Sequence, residues 1–178
     1  YYERATADAV QFVNGVNLNW RPLSWLTNST DLGIDLIHRD DQILMPRGNP
    51  HVLWKDGRLR VGRGTSIVTT LNTRFAARIP LSGRYQLDVA TGVDYTGRSI
   101  NDYMTEARGL VTGTESLNGA QEINSVSQRP IQTSTFGWYV QPMLSNDRMW
   151  ISTGIRLDGG STFGSNLNLP TFPKVSVS

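Results

Sequence analysis

Ile67-Val68-Thr69-Thr70-Leu71-Asn72-Thr73-Arg74-Phe75-Ala76-Ala77-Arg78-Ile79 decides the fold class. Side chains of a strand alternate between its two faces. Ile67, Thr69, Leu71, Thr73, Phe75, Ala77 and Ile79 therefore point one way, and Val68, Thr70, Asn72, Arg74, Ala76 and Arg78 the other. One face is a greasy band and the other carries two arginines. The next segment repeats the pattern. Tyr85, Leu87, Val89, Thr91, Val93 and Tyr95 alternate with Gln86, Asp88, Ala90, Gly92, Asp94 and Thr96.

Working outward, the same alternation predicts seven strands, over residues 10–20, 26–37, 67–79, 85–96, 131–144 and 149–158 and from 173 onward. Short connections at 21–25, 80–84 and 145–148 carry the Pro, Gly, Asn, Asp and Ser that suit tight turns. Between them lie long polar stretches, 38–66 and 97–130, and a shorter one at 159–169. Long strands with one apolar and one charged face, joined by alternately short and long connections, predict an all-β, antiparallel transmembrane β-barrel segment. The short turns then face the periplasm and the long loops face outside. Two other readings share the alternation. A small self-contained barrel requires an eighth strand, drawn from residues 1–9. A soluble β-sandwich requires Phe75, Leu87, Val93 and Ile155 to face a second sheet.

Composition narrows the function classes. Charged residues make up 18% of the 178, and the net charge is +2 without a basic run, which gives no argument for nucleic acid. Without cysteine the chain has no disulfide framework and no thiolate metal site. No stretch approaches the ~18 apolar residues of a transmembrane helix, which a barrel does not need. Trp20 and Trp25 flank the first short turn and Tyr85 follows the second, as in an interfacial aromatic girdle. Trp150 departs from this, because strict alternation turns it toward the charged face unless a bulge intervenes.

The charged face carries Asp31, Asp35, Arg74, Arg78, Asp88, Asp94 and Arg156. These are the candidate lumen residues, either a polar wall that guides substrate or holds a plug, or a wet interior with cross-strand ion pairs. Other constellations are weaker. His38-Arg39-Asp40-Asp41 has clustered carboxylates without the spacing of a calcium loop. His51 has no second His four residues on, and Gly62-Arg63-Gly64 lacks the third glycine of a dinucleotide site. Trp54 and Tyr103 sit in polar stretches, where their rings are suited to stack on sugars or to pack against neighbours. No residue pattern points to a catalytic centre, a metal or a cofactor, so the chain is not expected to be an enzyme.

Four stretches resemble the barrel of TonB-dependent outer-membrane receptors, in the glycan-importing branch related to starch-utilisation (SusC-type) and RagA-type transporters. Asn19-Trp20-Arg21-Pro22-Leu23-Ser24-Trp25-Leu26 resembles that branch's strand, Pro-containing turn and Trp-Leu strand start. Phe136-Gly137-Trp138-Tyr139-Val140-Gln141 is similar to its Gly-x-Tyr-x-Gln strand. Arg156-Leu157-Asp158-Gly159-Gly160-Ser161-Thr162-Phe163-Gly164-Ser165 resembles its Arg-x-Asp-Gly-Ser-Ser-x-Phe-Gly segment, with Gly160 in place of the usual Ser. Thr171-Phe172-Pro173-Lys174-Val175-Ser176-Val177-Ser178 resembles the strand that follows. The order and spacing of the four agree with the family.

The resemblance implies a wall segment, residues 1–178, of a larger outer-membrane barrel in a Gram-negative bacterium. It implies active import of a glycan or similar nutrient. The implied partners are the remainder of the barrel, a plug domain through which TonB acts, a SusD-like surface lipoprotein and outer-membrane lipid. Neither a TonB box nor a plug is recognisable within these residues, and both ends read as internal to a longer protein.

Overall fold

The structure is a computed structural model that describes residues 3–81, 83–161 and 170–178. Among the described residues there are seven strands: β1 Arg4–Leu23, β2 Leu26–Met45, β3 Arg58–Pro80, β4 Gln86–Leu110, β5 Ala120–Ser145, β6 Trp150–Gly160 and β7 Thr171–Val177. They form one antiparallel sheet in the order of the chain. Each strand is thus hydrogen-bonded to its sequence neighbour, as short connections require.

The strands run well beyond their expected bounds. Most of 38–66 and 97–130 is strand, and the connections shrink to 46–57 and 111–119, each holding one turn of 3-10 helix. Polarity misled the sequence reading here. Where both faces of a strand are wet the apolar half of the alternation disappears, yet the ladder persists and charged side chains pair across it. Arg63 binds Asp40 at 2.7 Å, Arg129 binds Asp102 at 3.0 Å and His38 Nδ1 lies 3.1 Å from Thr65 Oγ1.

Residues 4–9 continue β1, so they do not supply the separate strand that a small eight-stranded barrel requires. A sandwich is also set aside. The described residues form a single sheet, and Phe75 and Ile155 stay 39% and 38% exposed rather than covered by a second one. The expected connection at 159–169 falls largely outside the described residues.

Two compact units divide the chain. The first comprises residues 1–12, 35–67 and 99–132. It holds both longer connections and a small apolar core, in which Leu44, Leu59 and Leu110 are buried and Val61, Leu117 and Ala120 pack against them. Gly57 has φ +82°, and a Cβ there would lie 2.9 Å from Leu110 Cβ, so both backbone and packing demand glycine.

The second unit comprises residues 13–34, 68–98 and 133–178. It holds the three short turns. Its large apolar side chains are largely exposed, among them Val16, Leu18, Trp20, Leu32, Phe75, Phe136, Ile155 and Val175. Such an uncovered belt is unusual for a sheet in water. The β5–β6 register is constant from Thr135↔Gly160 to Ser145↔Trp150. Without a bulge, alternation keeps Trp150 on the face of Ser152, and no reversal occurs at the turn.

Candidate functional site

In the second unit the polar halves of the strands come together opposite the belt. Tyr139 pairs with Arg156, and Gly137 with Asp158, across β5 and β6. Arg156 donates to Asp158 at 2.7 Å and to Asp94 at 3.0 Å, one guanidinium bridging two carboxylates. Arg78 donates to Asp88 at 3.2 Å, and Gln86 to the other oxygen of Asp88 at 2.7 Å. Asn17 donates to Asp31 at 2.5 Å. Gln141 donates to Ser152 at 3.1 Å.

Small residues make room for these groups. A Cβ on Gly92 would lie 2.7 Å from both the Tyr139 hydroxyl and the Thr73 carbonyl oxygen. A Cβ on Gly137 would run into the Arg156 guanidinium and the Asp158 carboxylate. Large side chains laid across strand glycines are a known means of shielding their bare backbone.

An open depression of about 510 Å³ lies beside this network and is lined by Arg21, Trp25, Arg74, Arg78, Asp88 and Gln141 among others. Its groups can hold an anion or guide a polar solute. They offer no nucleophile paired with a base.

The seven charged residues singled out in the sequence therefore divide. Arg78 meets Asp88 and Arg156 meets Asp94. Arg74 lines the depression, and Asp31 binds Asn17. Asp35 belongs to the first unit, where it accepts a hydrogen bond from Gln11 at 2.9 Å. Sequence reasoning left out Arg21 and Asp158. Asp158 was signalled by its place two residues beyond Arg156 on the same face, and Arg21 by its alternation with Trp20.

The first unit holds a second polar cluster that reading 38–66 and 97–130 as loops had hidden. Glu106 pairs with both Arg58 and Arg108 and accepts a hydrogen bond from Asn124 at 3.2 Å. The Arg58 guanidinium beside it holds the Glu106 carboxyl below the usual carboxylate range, against the opposing effect of burial. The Arg58 guanidinium lies 4.3 Å from the Trp54 ring centroid, that of Arg108 5.4 Å, and the His51 ring stacks at 5.9 Å. Trp54 is thus engaged by its neighbours rather than held open for a sugar. Tyr103 is 46% exposed, and its hydroxyl accepts from Asn101 and Gln128. In 38–41 the carboxylates already have cationic partners, Asp40 with Arg63 and Asp41 with Arg39, each at 2.7 Å.

Comparison with solved structures finds this backbone within a much longer chain. A structure of the RagAB peptide transporter matches with a TM-score of 0.89 at 15% identity, over 99% of this chain and 20% of that one. The RagAB peptide importer in its closed-closed and open-open states matches with TM-scores of 0.88 and 0.86, at the same identity and coverage. The chain spans about a fifth of the length of those chains. No protein-family model matches the sequence, and the comparison with curated proteins gives no match. The likeness is one of fold: this seven-stranded antiparallel sheet follows part of those longer chains.

Proposed function

We propose that this chain is a wall segment of a TonB-dependent outer-membrane transporter. One observation carries the reading. A single sheet of long antiparallel strands exposes an apolar belt on one face and a charged network on the other, and its backbone follows part of the RagAB transporter. In such a wall the belt meets lipid, and Asp31, Arg74, Arg78, Asp88, Asp94 and Arg156 line a wet lumen. Asp35, in the first unit, is a further lumen residue on this reading.

β1 and β7 are the edges of the sheet, and their hydrogen-bonding groups need further strands. The rest of the barrel supplies them. A plug domain fills the lumen and takes energy from TonB, and a SusD-like lipoprotein covers the outer face. The work is transport across the outer membrane of a Gram-negative bacterium, with no bond made or broken.

The cargo is a glycan or similar nutrient on the sequence resemblance. A second reading, peptide cargo, is favoured by the solved RagAB structures, which are named for peptide import. Uptake assays decide between them. Cells lacking the gene should lose uptake of one labelled class, and deletion of TonB should abolish the same uptake. Unchanged uptake of both classes would overturn the proposal.

A further inference from the structure

The two faces of the first unit are told apart by its own contacts. Gln11 donates to Asp35 at 2.9 Å, so these two share a face and Val10, Phe12 and Leu36 lie on the other. A Cβ on Gly62 would lie 3.6 Å from Asp41 Cβ, and one on Gly64 2.9 Å from Asp102 Oδ1. Asp41, Gly62, Gly64 and Asp102 therefore lie on the face of Asp35. Alternation puts His38 and Asp40 with Leu36 on β2, Arg63 and Thr65 with Ile67 on β3, and Asn101 and Tyr103 on β4. All of these share the face of Val10 and Phe12, which are exposed apolar side chains. From Leu36 and Ile67 toward the connection at 46–57, that face turns from apolar to polar. His38 Nδ1 lies 3.1 Å from Thr65 Oγ1, and one step further the Arg63 Nε–H donates to Asp40 at 2.7 Å. The carboxylate holds the guanidinium by Nε alone. Nη1 and Nη2 of Arg63 make no hydrogen bond among the described residues, and the side chain is 66% exposed. Tyr103 is its neighbour on β4, since a Cβ on Gly62 would lie 3.8 Å from the Tyr103 carbonyl oxygen. The Tyr103 hydroxyl accepts from Asn101 and from Gln128, each at 3.0 Å, which leaves its own proton to donate.

We propose that Arg63, Asn101, Tyr103 and Gln128 form a docking site for the phosphorylated sugar headgroup of an outer-leaflet glycolipid, a reading that rests on the barrel-wall function above. The site lies on the lipid-facing side of the sheet, between the apolar margin and the longer connections. Arg63 presents the two free nitrogens of its fork, the geometry that takes a phosphate in bidentate fashion. Tyr103, Asn101 and Gln128 offer the hydroxyl and amide groups that meet sugar hydroxyls. Height selects a glycolipid over a phospholipid. Arg63 is four residues beyond Ile67, about 13 Å along the strand, and at a barrel tilt of about 40° this is about 10 Å above the apolar margin. A phospholipid headgroup layer is only about 5–8 Å deep on each side, whereas a headgroup built of sugars reaches the guanidinium.

The test is native mass spectrometry of the intact protein in detergent micelles. The probes are a rough-type lipopolysaccharide, the same glycolipid with its phosphates removed, and phosphatidylglycerol. The phosphorylated glycolipid should bind, and the other two should bind about tenfold more weakly. Arg63→Gln should weaken binding of the phosphorylated glycolipid by about tenfold, and Arg63→Lys should lose less. Arg129→Gln is the control. It removes a like pair, Arg129 with Asp102, from the opposite face and should leave binding unchanged. Both arginines are exposed, so neutralising either leaves the fold intact, checked by unchanged heat-modifiable gel mobility. Undiminished binding by Arg63→Gln, an equal loss with Arg129→Gln, or equal binding of phosphatidylglycerol would each overturn the proposal. Failure of the barrel reading is a separate outcome: a chain that stays folded and monomeric in water without detergent.

Discussion

The Tyr139 hydroxyl lies where a Cβ on Gly92 would come within 2.7 Å of it. The same Cβ would meet the Thr73 carbonyl oxygen at 2.7 Å, so a flexible side chain cannot relieve the clash alone. Gly92→Ala should destabilise the protein by about 1–3 kcal/mol, as overpacking does. Pairing it with Tyr139→Ala should recover only part of the loss, because the clash with Thr73 remains. Urea unfolding from micelles measures both.

Arg156 holds Asp94 and Asp158 together, so removing it leaves two carboxylates facing one another. Its side chain is 43% exposed, and water screens the repulsion. Arg156→Met should cost no more than about 1 kcal/mol at low salt, and raising the salt should shrink the loss. Replacing Asp94 and Asp158 by Asn in the same variant should restore stability to within a few tenths of that of the parent.

Glu106 should give the first unit an acid-sensitive step. Its carboxyl is held below the ordinary value of a glutamate by Arg58. The stabilisation is complete above the unfolded value, about 4.3, and is lost as pH falls through the lower folded value. Protection factors of the amides around residues 57–59 and 109–110, corrected for the intrinsic exchange rate at each pH, should therefore fall as pH falls below about 4. Glu106→Gln should be destabilised at pH 7 by about 1–3 kcal/mol and lose that acid dependence.

The small core of the first unit should be sensitive to truncation. Leu59 is fully buried against Leu44 and Leu110. Leu59→Ala should cost about 2–5 kcal/mol. Val52→Ala, at a site 80% exposed in the connection, should cost almost nothing, and thermal unfolding compares the two.

The parts of this fold that sit on the apolar belt were legible in the sequence, because Phe75 and Arg74, or Ile155 and Arg156, differ as sharply as side chains can. Seven strands and three short turns followed from that contrast. Along 38–66 and 97–130 it vanishes. His38, Asp40 and Arg63 read as loop, yet they are strand residues joined across β2 and β3. Alternation also put Arg78 with Asp88 and Arg156 with Asp94 on one face. Whether Arg74 finds a carboxylate and Arg21 shares its depression depends on strand register and stagger, which alternation does not specify.

The central claim is that one face of this sheet meets lipid and the other meets water. Spin labels placed singly at residues 70–79 of the intact protein in bilayers test it, by collision with oxygen and with a water-soluble nickel chelate. Odd-numbered sites, with Phe75 and Ile79 among them, should favour oxygen, and even-numbered sites, with Arg74 and Arg78 among them, should favour nickel. Equal access to nickel at both sets, or a sheet that needs no bilayer, would contradict it.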